Sequence, residues 1–199
     1  PDLKRIIKVA RDFSRPYRID DGRRFRLKDY AAHDTAHLDD ADKPRAQEAL
    51  ELGRNALGEL QDMLYAQDKW AVLLVFQAMD AAGKDGTIKH VMSGVNPQGV
   101  HVHSFKAPSS DELAHDFLWR VSRELPRRGH IGIFNRSHYE EVLVVKVNPG
   151  YLEGQRLPHR PAKLAELWAQ RYQSIRAAEQ HWARNGVVVL KFFLNVSKD

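Results

Sequence analysis

The feature that most constrains this chain is a short apolar run that leads into a turn carrying glycine and lysine. Ala71-Val72-Leu73-Leu74-Val75-Phe76 is continuous and apolar. It is too short for a helix and suits a strand buried on both faces. Soon after it come Asp80-Ala81-Ala82-Gly83-Lys84-Asp85-Gly86 and a helical stretch from Thr87 to about Met92. A loop that binds phosphate needs glycines where the backbone turns and approaches the ligand closely. It also needs inward amides, a helix N-terminus behind them, and a lysine for the terminal phosphates. Gly83, Lys84, Gly86 and the Thr87 helix supply these parts, with a strand in front. The strict pattern G-x-x-x-x-G-K-[ST] is not met. Ala78 stands at its first glycine, and Asp85 replaces the hydroxyl that ligates Mg²⁺. Mg²⁺ takes hard oxygen ligands, so Asp80 is the natural carboxylate for it. The alternative is that Asp80 caps the turn and Gly83 to Gly86 is only a tight connection.

The rest of the chain repeats the alternation of helix and strand. The first forty residues or so are polar and read as an irregular, extended N-terminal arm over 1–42. A helix is predicted from about Lys43 to Gln67, with Ala46, Leu50, Leu57, Leu60 and Leu64 forming one buried stripe. Val100 to Phe105 suits a second strand. Ser109 or Ser110 caps a helix to about Leu125, with Asp111 and Glu112 in its first turn and Pro126 as its stop. Ile131 to Phe134 is a third strand, about Ala162 to Arg184 a long helix, and Val187 to Leu194 a strongly apolar strand. This alternation predicts an α/β fold, a parallel sheet covered by helices on both faces. Ligands of such sheets bind at the C-terminal ends of the strands, which puts the chemistry after Phe76 and after Phe134.

After Phe134 comes Asn135-Arg136-Ser137-His138-Tyr139-Glu140-Glu141. Phosphoryl transfer needs cations that spread the charge of the moving group, and the planar fork of Arg136 suits phosphate oxygens. Asn135 can orient metal-bound water. Glu140 and Glu141 are either outer partners of the metal or a solvated first turn of helix. His101 and His103 share a strand face, about 7 Å apart by strand rise. No third metal ligand stands at a matching spacing, and a polar sheet face accounts for them. Trp119 and Trp168 fall in helical periodicities and read as core.

Charge and cysteine content bound the partners. The 199 residues carry a formal net charge of +5, and the pI is about 9.5. An anionic ligand fits this balance, as does a merely solvated basic surface. Cysteine is absent, which excludes disulfides, thiol catalysis and Cys-ligated zinc. No run is apolar enough to span a membrane and the first residues lack a signal segment, so a cytoplasmic location is expected.

These motifs together resemble the polyphosphate kinase 2 family. Leu73 to Val91 looks like its first phosphate-binding motif, and Ile133-Phe134-Asn135-Arg136-Ser137-His138-Tyr139-Glu140 resembles its second. Ser104 to Pro108, Asp116 to Arg120 and Phe25 to Tyr30 are also similar to it. The resemblance implies a P-loop NTPase-like (thymidylate-kinase-like) fold, with a kinase core over 43–199. It implies a homo-oligomer, dimer or tetramer, that transfers phosphoryl groups reversibly from inorganic polyphosphate to AMP or ADP. Mg²⁺ is the expected cofactor, with Mn²⁺ as a substitute, and neither nucleic acid nor membrane is an expected partner. By the same resemblance Asp80, Lys84 and Arg136 are catalytic. Ala82, Gly83, Lys84, Asp85, Gly86, Thr87, Lys89 and Lys106 bind phosphate, and Asp80, Asn135 and Glu140 serve the metal. Asn135, where many members carry aspartate, is similar to the branch that accepts both AMP and ADP. The family would continue past Asp199 into a basic helical lid, so the chain reads as a lidless core. An ATP-dependent nucleoside monophosphate kinase of the same fold is the alternative. A basic polyanion-binding module is a third reading, and loss of Asp80 would leave such a module's binding intact.

Overall fold

The computed structural model describes residues 2–79 and 82–196. In it the apolar run forms β1 (Ala71–Ala78). Strands β2 (Val100–Ser104), β3 (Ile131–Asn135) and β4 (Val187–Leu194) join it in one parallel sheet of order β2-β3-β1-β4. Every pairing is parallel, so each strand must be reached by a crossover.

Helices α1 (Leu3–Ser14) and α2 (Lys43–Gln67) precede the sheet, and α3 (Lys84–Val91) follows β1. The short helices α4 (Ser110–Leu113) and α5 (Trp119–Arg123) connect β2 to β3. The short α6 (Val144–Val147) and the long α7 (Leu164–Arg184) connect β3 to β4. Side chains alternate along β1, and both sets are apolar. Leu73 and Val75 pack with Phe134 against Val121 of α5 and Trp182 of α7. Val72, Leu74 and Phe76 pack with Ile133 against Leu64 of α2 and Ile88 of α3. The central strands β1 and β3 are thus covered on both faces, as their continuous apolar runs require. Among the described residues no helix is long and apolar enough to cross a membrane.

Several expectations change. The N-terminal stretch expected to be irregular contains α1, capped by the Asp2 side chain on Lys4 N. Leu3, Ile6 and Ile7 are its half-buried residues, and the helix packs on α2. The stripe expected on α2 is buried only in part: Ala46, Leu57 and Leu64 are half-buried and Leu64 packs against the sheet, while Leu50 and Leu60 remain 37% and 38% exposed. The fully buried residues of the helix are Ala56 and Gln61, and Gly58 lies against the Gly94 carbonyl. A helix seated on a loop backbone presents its small residues there, and Gln61 satisfies the Asn96 amide at 3.2 Å. The single helix expected up to Leu125 is broken into α4 and α5. Asp116 causes the break: its side chain accepts from Leu118 N at 2.9 Å, a local bond that competes with helix. Trp119 is half-buried rather than core, stacked on His115 with ring centroids 3.8 Å apart, whereas Trp168 is buried. Among the described residues the apolar β4 pairs only with β1, and Val188, Leu190, Phe192 and Phe193 stay exposed.

Candidate active site

The loop after β1 turns on Gly83, which has φ +77° and is the N-cap residue of α3. A Cβ there would meet nothing within 4 Å, so glycine answers to the left-handed backbone and not to crowding. The helix begins at Lys84, earlier than the Thr87 start expected, which brings the free N–H groups of its first turn to the loop. Thr87 N donates to Gly83 O at 2.9 Å, and its hydroxyl donates to the same carbonyl at 3.1 Å. The Lys84 side chain is buried, its ammonium donating to Met79 O at 3.2 Å and Ala78 O at 3.4 Å across the end of β1. Asp80 lies outside the described residues.

Strand β3 lies beside β1 with Asn135 in register with Phe76, so the segments following both strands emerge side by side. Arg136 N donates to Phe76 O at 3.1 Å, and Arg136 holds φ +63°. A non-glycine residue in this region is strained by roughly 1–2 kcal/mol, a strain that clusters at functional sites. The Asn135 amide donates to the Asp85 carboxylate and reaches Ser104 Oγ at 3.4 Å. It ties the first turn of α3 to the ends of β2 and β3. Arg136 pairs with Glu140 at 3.7 Å. Gln77 is the buried polar side chain of β1. With its amide oriented to match its partners, it donates to Glu140 Oε1 at 3.0 Å and accepts from Ser137 N at 3.1 Å.

These elements enclose a cleft of about 670 Å³ at the C-terminal edge of the sheet. Of the residues singled out in the sequence, Ala82, Gly83, Lys84, Asp85, Lys106, Asn135 and Arg136 line it. Ser104, Phe105 and Ala107 complete the wall without having been assigned a role. Gly86, Thr87, Lys89 and Glu140 are not among the lining residues: Lys89 is exposed on α3, and Glu140 contacts Arg136 and Gln77. Arg120 of α5 holds the Lys106 carbonyl at 3.0 and 3.1 Å, fixing the loop after β2. Glu141 is not a solvated helix residue. It is buried, with Arg171 at 3.1 Å and Gln155 at 2.9 Å.

Behind the second motif lies a polar network with no counterpart in the sequence reading. Glu179 of α7 accepts from Tyr139 OH at 2.8 Å, Lys191 Nζ at 2.7 Å and His138 Nε2 at 3.2 Å. Burial works to raise the Glu179 carboxyl, but hydrogen bonds from His138, Lys191 and Tyr139 hold it down at about 2. Burial and the neighbouring Glu179 charge push the Tyr139 phenol up to about 12. The network fastens the Arg136 segment to α7 and β4. Its one sequence signal is polar residues next to apolar ones on a predicted helix and strand, too common a pattern to single these out.

The family model of polyphosphate kinase 2 matches residues 40–199. The chain belongs to this family. An ADP-polyphosphate phosphotransferase of Rhodopseudomonas palustris is 55% identical over 157 residues, covering 79% of this chain and 54% of that protein. An AMP/ADP-polyphosphate phosphotransferase of Meiothermus ruber is 46% identical over 183 residues, covering 92% of this chain and 64% of that protein. The chain thus spans between about half and two thirds of the length of these relatives. The crystal structure of polyphosphate kinase 2 from Arthrobacter aurescens superposes with a TM-score of 0.78 at 35% identity, over 90% of this chain and 60% of that one. The fold is therefore the α/β, P-loop kinase-like fold of polyphosphate kinase 2, with helices on both faces of a parallel sheet.

Proposed function

We propose that this polyphosphate kinase 2 chain carries the site of a polyphosphate-dependent nucleotide kinase that acts on adenine nucleotides, AMP or ADP. The observation that carries this reading is the cleft itself: the Gly83-Lys84 turn of β1 faces Asn135 and Arg136 of the adjacent strand across about 670 Å³. The names of the Rhodopseudomonas and Meiothermus relatives support the substrate class. In the reaction an oxygen of the acceptor nucleotide's terminal phosphate attacks the terminal phosphorus of polyphosphate. The bond to the next phosphate in the chain breaks, leaving polyphosphate one unit shorter and the nucleotide one phosphate longer. The attacking oxygen is already anionic near neutral pH, so no general base is required, and catalysis reduces to positioning and charge stabilisation.

The free amides at the start of α3, with Gly83 and Lys84, grip the phosphates on the donor side. Gly86 supports this role: it is exposed in the first turn and a Cβ there would touch nothing, so no packing contact calls for glycine. Close approach of the backbone to a ligand does. Arg136 spreads the charge of the transferring group, and Lys106, with Lys89 further out, draws in the polyanion. A divalent cation fits the donors, since Asp85 and Asn135 bring carboxylate and amide oxygens to the cleft, with the Glu140 carboxylate behind Arg136, while the nearby His138 is turned to Glu179. We assign Mg²⁺ to Asp80, two residues past the end of β1 in the sequence, with Asn135 and Glu140. When bound, the ion neutralises phosphate charge. The protein works as a homo-oligomer in this reading.

The test is formation of ADP and ATP from AMP with long-chain polyphosphate and Mg²⁺, read by chromatography with ATP as the competing donor. Polyphosphate-driven product that disappears in Lys84→Ala and Asp80→Ala supports the reading. Preference for ATP as donor would make the protein an ordinary nucleoside monophosphate kinase. Polyphosphate binding without turnover that survives Asp80→Ala would make it a polyanion-binding module.

A further inference from the structure

Outside the cleft, the edge strand β2 carries a second group of side chains able to bind a metal. His101 and His103 project from the same face of β2, and the carboxylate that the sequence spacing did not offer comes from Glu124, directly after α5. Glu124 Oε2 lies 3.0 Å from His103 Nδ1 and 3.5 Å from His101 Nε2. Ligand atoms of the three residues all fall within 4.8 Å of one another. Donors bound to one ion at about 2.0–2.1 Å sit roughly 3.0–3.4 Å apart, for octahedral and tetrahedral angles respectively. The contact of the carboxylate with His103 falls within that spacing, and its contact with His101 lies just beyond it.

The arrangement is anchored from both sides. Gly132 of β3, in register with His101, has no side chain, and an added Cβ would come 2.9 Å from the Pro126 ring. Pro126 therefore sits directly on the sheet and brings Glu124, two residues before it, over β2. The His103 ring is braced by Phe105, with centroids 4.3 Å apart. His101 is 63% exposed at its side chain, which leaves the outer coordination positions to water. We propose that His101, His103 and Glu124 form a second metal site, separate from the cleft, for a borderline transition ion of the Zn²⁺ class. Two imidazoles and one carboxylate suit Zn²⁺, Ni²⁺ or Co²⁺ and discriminate against Mg²⁺, which prefers oxygen alone. The ion would staple α5 to the edge strand whose end, Ser104 to Lys106, forms one wall of the cleft.

The experiment is calorimetric titration of the intact protein with Zn²⁺ in excess Mg²⁺, together with Co²⁺ titration followed by visible absorption. The expected result is one Zn²⁺ bound per chain and a rise in Tm of about 3 °C at tenfold excess over Kd. Both should be lost in His101→Ala, His103→Ala and Glu124→Gln and kept in His159→Ala, a change at an exposed histidine elsewhere. Equal stoichiometry in all four variants would overturn the site, as would no Zn²⁺ binding by the wild type at about 100 μM, well above the affinity of a three-ligand site. The Co²⁺ spectrum of the wild type reads the donor set directly, so a variant that folds poorly does not decide the outcome.

Discussion

At the residue scale, three backbone positions separate folding from function. Gly83 needs its left-handed φ, so Gly83→Ala should cost roughly 1–2 kcal/mol of stability even though the space is open. Gly86 lies within α3 without such a need. Gly86→Ala should raise stability by about 0.5–1 kcal/mol, through helix propensity, while weakening polyphosphate binding. Chemical denaturation paired with a binding titration checks both signs, and loss of stability in Gly86→Ala would remove the argument for ligand approach. Arg136 is the reverse case, a side chain proposed to be needed in a conformation its backbone resists. Arg136→Gly should be more stable than Arg136→Ala by about 1 kcal/mol, with both inactive. Measured melting curves that rank them the other way would show that the strain is not where φ places it. Lys84 and Arg136 could be singled out from sequence because their motifs are contiguous. The link between Asn135 and Asp85 could not, since nothing in either segment encodes which strand lies beside β1.

At the element scale, the Glu179 network decides how firmly the second motif is held. The folded-state carboxyl titrates at about 2 against an ordinary 4.5. Its contribution is therefore fully present above about pH 4.5 and is lost as pH falls through 2. Glu179→Gln should cost about 1–3 kcal/mol at neutral pH, the range for hydrogen bonds to a charged group. It should also flatten the acid limb of the stability profile between those two values. A pH series of urea midpoints reads this; a limb identical to wild type would mean that other carboxylates govern acid unfolding. Tyr139 works with the opposite sign, raised from 10.0 to about 12. Its share is present below pH 10 and is lost as pH rises towards 12, and Tyr139→Phe should remove that alkaline loss. The predicted boundaries of α2, β3 and β4 lie close to the observed ones because apolar periodicity is a local property. The break between α4 and α5 was missed because Asp116 acts through a side-chain bond to the backbone, which periodicity does not register.

On the scale of the whole molecule, the net charge of +5 suits the polyanionic ligand proposed for the cleft. Polyphosphate affinity should fall steeply as NaCl rises from about 0.05 to 0.2 M, and AMP affinity much less, because the longer anion engages more of the basic surface. Equal salt dependence for the two ligands would confine recognition to the loop. What the sequence by itself determined was local: a buried strand, a glycine-lysine turn, a helix behind it, and a second strand ending in Asn-Arg. Each follows from backbone preferences and from hydrophobic spacing within some twenty residues. Tertiary structure alone decided the order β2-β3-β1-β4, the meeting of Asp85 with Asn135, and the burial of Gln61 in place of Leu50 and Leu60. It also placed Glu124 over His101 and His103. The reason is that periodicity says which side of an element is apolar, whereas its neighbour is chosen by parallel pairing and by where small residues such as Gly58 and Gly132 let chains approach.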